Sequence, residues 1–394
     1  MPMEATICDI SAFNYWRIPP VVQILIAGEE DDATLQKMSE DIDIAALRSG
    51  IIDQLPLCQT FFKKSPRTRS VSELTRTLAQ LVPLLAANHE GPIDILLTKQ
   101  SQRHSSIFLK PHLWQKQLPE GGIMSLFGDI GITSPTFTLL ELAARANDIQ
   151  TLMMASEICG SFAVYNPPSL IREALEKLLP TKQNPKRHIP ILGGWRPFVD
   201  SKGHLSSLWQ RPPLVHPCDL TVLAERSESR RGAARLKLAS ELVKESAASP
   251  FEVQTALLLG LPRRCGGQGL DGFVCNKRID LTHRATLLAE KRHCYCDLFW
   301  EEGLDLECQS TLVHQNVESY LADSERALAL ESMGIKVLPI TFDQISSRER
   351  FDAVSQLIAA TLGLKLPKKT PHQQSQELEL RRQVLIDWET VHLV

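Results

Sequence analysis

This 394-residue chain has no apolar run long enough for a bilayer; stretches such as residues 21–27 and 256–261 fall far short of the roughly 20 residues required. No membrane span is expected. The opening MPMEATICDI has no basic start followed by an apolar region, so no secretory leader is expected and the cytoplasm is the default location. Positive charge is not in excess either. Lys and Arg number 43 against 46 Asp and Glu, a formal net charge of -3, so the whole-protein field does not attract a polyanion. Nucleic-acid contact would have to come from local basic patches, which argues against a DNA-coating protein and leaves room for an enzyme with one basic groove. No phosphate-loop lysine motif, dinucleotide fingerprint, H-E-x-x-H or nucleophile elbow occurs. The GGQG at Gly266–Gly269 lacks the strand-to-helix context and the lysine of a phosphate-binding loop.

Cysteine gives no framework. There are nine, an odd number without regular spacing, which reads as free thiols in a reducing compartment. Cys294 and Cys296 form a C-x-C beside His293, with Cys265 and Cys275 upstream. A structural zinc site usually has C-x2-C pairs, so buried apolar cysteines are the favoured reading and zinc the alternative.

What is present is an ordinary globular composition, 43% hydrophobic and 23% charged, on a chain too long for one core. The fold class expected is mixed α/β: an N-terminal α/β domain over 1–165, a Pro-rich connector with helices over 166–245, a third domain over 246–366, and a polar segment with a helix over 367–394. In the first half, helical spacing runs over 35–47 and 71–85, and strands are expected at 93–98 and 107–109. Ser134 and Pro135 suit a helix start, and a second helix at 149–159 should stop at Gly160, the two packing as a pair. Beyond Tyr165, prolines punctuate the chain, with one helix near 170–179. A later helix carries Arg230, Arg231, Arg235 and Lys237, a solvated basic face or a phosphate contact.

The segment CYCDLFWEEGLDLECQS, residues 294–310, reads as a hairpin whose loop Glu301–Glu302–Gly303 ends on a glycine suited to the left-handed conformation. If Trp300 pairs with Leu304, Asp297 falls opposite Glu307, with Cβ atoms roughly 5 Å apart. Strict alternation groups Asp297, Phe299, Asp305, Glu307 and Gln309 on one face, and Leu298, Trp300, Leu304, Leu306 and Cys308 on the other. Opposed carboxylates repel unless solvent or a cation lies between them. Mg²⁺, a hard cation bound by carboxylates and phosphate oxygens, is the natural occupant; a solvent-facing acidic strand pair is the plainer alternative.

The order helix, strand, strand, helix, strand, together with SPFE, CDLFW, LECQS, the helix carrying Asp323 and Arg326, and GIKVLPIT, resembles the Vsr-like branch of the PD-(D/E)XK nucleases over residues 249–364. The resemblance implies a restriction-endonuclease-like αβββαβ core, hydrolysis of phosphodiester bonds with Mg²⁺ or Mn²⁺, and DNA in preference to RNA as partner. It implies metal binding by Asp297 and Glu307 and a catalytic set of Glu252, Asp297, Glu307 and Gln309. Ser249-x-x-Glu252 is also a capping box, which gives Glu252 a purely structural alternative. Gln309 departs from the motif, which has lysine there. His314 and Arg326 are candidates for the missing donor, and Arg263 and Arg264, with Lys277, Arg278, Arg284, Lys291 and Arg292, for phosphate contact.

CDISAFNYWR, SPTFTLLELAARA and EICGSF are similar to regions of AbiEi-type abortive-infection antitoxin proteins, some of which carry a Vsr-like domain downstream. That likeness implies a defence or toxin-antitoxin context with a possible protein partner. Within it, Trp16 and Arg17 read as packing with an exposed charge. Three functions follow: a metal-dependent nuclease, an inactive nuclease fold that binds nucleic acid, and a defence-system scaffold.

Overall fold

A computed structural model of the chain describes residues 5–64, 73–99, 107–127, 130–181, 184–200, 202–309 and 317–392. These fall into two compact units, neither continuous in sequence. The first comprises 1–147, 163–199 and 203–238, and the second 148–162, 200–202 and 239–394.

The first unit opens with β1 (Ala5–Ile7) and helices α1 (Asp9–Tyr15), α2 (Pro20–Ala27), α3 (Ala33–Met38), α4 (Ile44–Gln54), α5 (Pro56–Lys64) and α6 (Glu73–Ala86). The single helix expected over 35–47 is two, because Asp43 caps a new start by accepting the Ala46 N–H. Strands β2 (Ile93–Leu97), β3 (Leu109–Leu113), β4 (Ile123–Phe127) and β5 (Ile130–Thr133) follow, and with β1 they form a mixed sheet ordered β3-β2-β1-β5-β4. Helix α7 (Pro135–Ala143) starts where Ser134 and Pro135 indicate, the serine accepting the Phe137 N–H.

Helix α8 (Asp148–Cys159) ends before Gly160 as expected but belongs to the second unit, whereas α7 belongs to the first. The chain then supplies β6 (Phe162–Val164), α9 (Ser169–Glu176), β7 (Arg196–Val199), β8 (Leu205–Gln210), α10 (Pro217–Arg226) and α11 (Ala233–Leu242). The stretch read as a connector is therefore structured, mostly within the first unit, and includes a sheet ordered β6-β8-β7. Its prolines begin elements: Pro168 is the N-cap of α9 and Pro217 opens α10.

The second unit continues with α12 (Pro250–Gly260), β9 (Val274–Asp280), α13 (His283–Ala289), β10 (His293–Trp300), β11 (Leu304–Gln309), α14 (Val317–Glu331), β12 (Lys336–Thr341), α15 (Phe342–Ser346), α16 (Arg348–Thr361) and α17 (Pro371–Val384). The sheet runs β12-β11-β10-β9, antiparallel except for the parallel pair β11/β12 that α14 connects. Leaving aside short α13, the order from α12 to β12 is αβββαβ, and the mixed α/β class holds for both units. The C-terminal segment also belongs to this unit: Gln254 Nε2 donates to the carbonyls of Val384 and Ile386, and Trp388 Nε1 donates to Glu157 at 2.6 Å. No described helix is long and apolar enough to cross a membrane.

Candidate functional site

The hairpin takes the expected register. Trp300 pairs with Leu304, Phe299 with Asp305 and Leu298 with Leu306, and Gly303 adopts φ +84° in the loop. Past Leu298 and Leu306 the ladder gives way, so the expected opposed pair of Asp297 and Glu307 is not part of it. There the Asp297 carboxylate accepts the Cys308 N–H at 2.8 Å, standing where a strand-to-strand hydrogen bond would otherwise form.

The strict alternation expected for β10 does not survive this junction. Cys294 and Cys296 pack in one cluster with Phe299, Leu330 and Ile335, so the side-chain sequence slips by one residue around Asp297. On the neighbouring strand, Asn276 adopts φ +49°, between the pairs Cys296↔Lys277 and Leu298↔Cys275. Asparagine tolerates this left-handed conformation better than most residues. The kink aims its amide at Glu252, with Nδ2 to Oε2 2.7 Å.

Glu252 does what its capping box requires and is also drawn into the acidic group. Its carboxylate accepts from the Ala248 N–H at 2.7 Å and from Ser249 Oγ at 2.9 Å, while Ser249 Oγ accepts the Glu252 N–H. Burial, and then the charge of Asp297, pushes its pKa well above the ordinary carboxylate range. Asp297 is raised by burial and by Glu307, and Glu307 by burial and by Asp305 alongside. The plainer reading, an acidic pair facing solvent, does not fit Glu307, although Asp297 is only partly buried. Asp305 is fully buried and Glu307 is 6% exposed. No hydrogen bond of ordinary geometry reaches either Asp305 oxygen or Oε1 of Glu307, but Asp305 and Glu307 lie against one another and the Cys296 thiol lies against Asp305, so a proton shared between the carboxyls can supply what is missing as well as a cation can.

One cation is already there. Arg326 on α14 reaches Glu307 Oε2 at 2.5 Å and donates to the Tyr295 carbonyl at 3.2 Å, with Asp323 at 3.8 Å. It is therefore no ordinary surface residue. Gln309 ends β11, partly buried and paired with Thr341 on β12. Arg263 donates to the Pro367 carbonyl and lines a separate polar pocket, and Arg264 is exposed. Lys277 and Arg278 already face Glu301 and Asp280. His314 lies outside the described residues.

All nine cysteines are free thiols, and Cys275, Cys294 and Cys296 are buried. The metal-capable group found among the described residues contains no cysteine and was not anticipated: Asp9, Asp94 and His112, in the first unit, bring ligand atoms within 4.8 Å of one another. Asp9 and Asp94 are each 2% exposed. Asp9 opens α1 with φ +55°, Asp94 lies in β2 and His112 in β3, its Nε2 2.7 Å from Asp94 Oδ1. This group could hold a metal ion, although protein charges already balance it. Arg145 pairs with Asp9, Lys110 lies 3.4 Å from Asp94, and Ser11 Oγ donates to Asp94 at 3.0 Å. Burial works against the Asp94 charge, but His112, Lys110 and Ser11 outweigh it and hold its pKa below the ordinary value. Glu141, which accepts the Asp9 N–H, is pushed up to about 8, chiefly by burial, with Asp94 adding and Thr133 opposing.

The sequence did carry a signal for this network: an aspartate inside the apolar strand IDILL demands a buried partner. Arg17 likewise proves to be buried rather than exposed, its guanidinium 4.7 Å from the centre of the Phe13 ring. Comparisons with protein-family models, with curated proteins and with solved structures gave no match for this chain.

Proposed function

We propose that the second unit is a metal-dependent nuclease of the PD-(D/E)XK type, Vsr-like, hydrolysing nucleic-acid phosphodiester bonds, with DNA favoured over RNA. The observation that carries this reading is the break in the β10/β11 ladder at Asp297. There Glu252, Asp297 and Glu307, from a helix and two strands, stand close enough for Asp297 to raise Glu252 and Glu307 to raise Asp297, and Oε1 of Glu307 is buried without a donor; only Asp9, Asp94 and His112, however, bring ligand atoms within 4.8 Å of one another among the described residues. Asp297 and Glu307 would hold Mg²⁺ or Mn²⁺, whose preference for oxygen ligands suits this donor set. When bound, the cation supplies Lewis-acid polarisation of a phosphoryl oxygen.

The chain's own residues divide the remaining work. Arg326 fixes the Glu307 carboxylate and carries a guanidinium able to meet a phosphate. Gln309 offers hydrogen bonds but no charge where the motif has lysine. Asn276 and Ser249 hold the Glu252 carboxylate in place. The AbiEi-type likeness of the N-terminal half extends the proposal to a phage-defence or toxin-antitoxin setting with a protein partner.

A second reading, binding without cleavage, is favoured by Gln309 together with the Arg326 ion pair on Glu307. Incubation of the protein with single- and double-stranded DNA and RNA, in Mg²⁺, Mn²⁺ or EDTA, separates the two. The nuclease reading requires cleavage that depends on metal and disappears in Asp297→Ala; retained binding with no cleavage under any metal favours the second.

A further inference from the structure

Away from the acidic group, the second unit holds a polar pocket of about 330 Å³, lined by Arg263, Gln268, Arg348, Asp352, Lys368 and Lys369. We infer that this pocket binds the phosphate group of a small ligand, at a site separate from the carboxylates of the proposed nuclease centre. The inference uses none of those carboxylates and does not depend on catalysis.

Charge is the first argument. Arg263, Arg348, Lys368 and Lys369 face one carboxylate on the lining, Asp352. A second carboxylate, Glu377, is 2% exposed and lies beneath them. It organises the floor: Lys369 Nζ is 2.7 Å from Glu377 Oε1 and 2.5 Å from Asp352 Oδ1, Gln268 Nε2 donates to Glu377 Oε1 at 2.9 Å, and Arg348 Nε stands 3.6 Å from Glu377 Oε2. Behind this floor the guanidinium of Arg381 is held by the carbonyls of Ile345 and Ser346, and its Nη1 is buried with no partner. Lys369 and Arg348 are thus balanced by Asp352 and Glu377, whereas the surplus positive charge lies on Arg263 and Lys368.

Donor geometry is the second argument. Arg348 Nε is buried without a hydrogen-bond partner, and its 3.6 Å approach to Glu377 is too long to supply one. Its Nε side is turned to Glu377, while the residue lines the pocket with its side chain 38% exposed, so the outer guanidinium nitrogens are open to a ligand. Lys368 is exposed on the loop between α16 and α17 and forms no ion pair among the described residues. Arg263 is steadied by donating to the Pro367 carbonyl, also on the lining. A fixed fork beside a flexible ammonium suits a phosphate dianion, which takes a bidentate guanidinium and a point charge together.

Size is the third. A volume near 330 Å³ lies at the lower end of small-ligand sites, large enough for pyrophosphate or a mononucleotide. Leu366 and Pro367 on the same lining provide a short apolar strip against which a base or sugar can lie.

Calorimetric titration of the full-length protein with inorganic phosphate, pyrophosphate, adenosine 5′-monophosphate and adenosine tests this. Saturable binding of the phosphate-bearing probes, weakened by salt and absent for adenosine, is expected. Binding of all three identifies free phosphate as sufficient, and binding of the nucleotide alone identifies a nucleotide ligand. Lys368→Gln, at an exposed position, should weaken binding several-fold, and Arg348→Gln about tenfold or more, with thermal unfolding unchanged in the first. No saturable binding, adenosine binding as tightly as its monophosphate, or affinity unchanged in both variants would overturn the inference. Cleavage activity, present or absent, has no bearing on these outcomes.

Discussion

Asp297 Oδ2 accepts the backbone N–H of Cys308 at 2.8 Å, across the place where β10 and β11 stop pairing. A carboxylate spends part of its accepting capacity closing a gap in a sheet. The remainder, with Glu307 and Glu252 nearby, makes a crowded buried group that favours either protons or a cation.

Replacing Gln309 with lysine tests the departure from the nuclease motif. Gln309 is partly buried at the end of β11, so an ammonium there can reach solvent or a substrate phosphate. Under the nuclease reading, Gln309→Lys should raise the metal-dependent cleavage rate about tenfold, through added charge stabilisation worth on the order of 1.4 kcal/mol. Single-turnover cleavage of a labelled duplex measures this, and an unchanged or lower rate would show that the lysine position has no catalytic role in this chain.

The Glu141 network makes a separate prediction about stability and pH. Glu141 titrates at about 8 in the fold, far above its value in the unfolded chain. Its contribution is fully present below about pH 4 and is lost as the pH rises towards 8, because the unfolded chain ionises while the folded one keeps its proton. The slope is at most about 1.4 kcal/mol per pH unit. Glu141→Gln keeps an acceptor for the Asp9 N–H and should flatten this loss. Urea unfolding at intervals between pH 5 and 8 reads the difference, and parallel curves for the two proteins would contradict it.

Trp388 anchors the C-terminal segment. It is 4% exposed, packs against Phe162 with ring centroids 5.8 Å apart, and donates to Glu157. Trp388→Ala should destabilise the second unit by about 3–5 kcal/mol through cavity formation. Trp388→Phe, which keeps much of the ring volume, should cost less. Equal unfolding midpoints for Ala, Phe and wild type would show that the segment contributes nothing to the unit.

Local chemistry explains which parts of this protein were legible in its sequence. The hairpin register followed from Gly303 and a three-residue loop, and the starts of α7 and α12 from Ser-Pro pairs, because each signal acts within a few residues. The kink at Asn276 and the slip at Asp297 were not legible, since they arise from contacts between strands and with Glu252. The two compact units divide the chain differently from the expected boundaries for a related reason. Helix α8 leaves the unit that precedes it, and the prolines after Tyr165 begin helices instead of marking a linker. Asp94, by contrast, stood in an apolar strand in plain view; its partners His112 and Asp9 lie on other elements, and no spacing rule links them.

The central claim is that Asp297 and Glu307 form a cation site, and direct Mn²⁺ titration by calorimetry tests it most directly, in wild type and in the isosteric Asp297→Asn and Glu307→Gln variants. Because these carboxyls hold protons more tightly than usual, binding should release protons and strengthen as the pH rises from 6 to 8. A Mn²⁺ site should be lost in both variants and kept in Asp9→Asn, whatever the separate group of Asp9, Asp94 and His112 binds. Binding unaffected by Asp297→Asn and Glu307→Gln, or abolished only by Asp9→Asn, would contradict it.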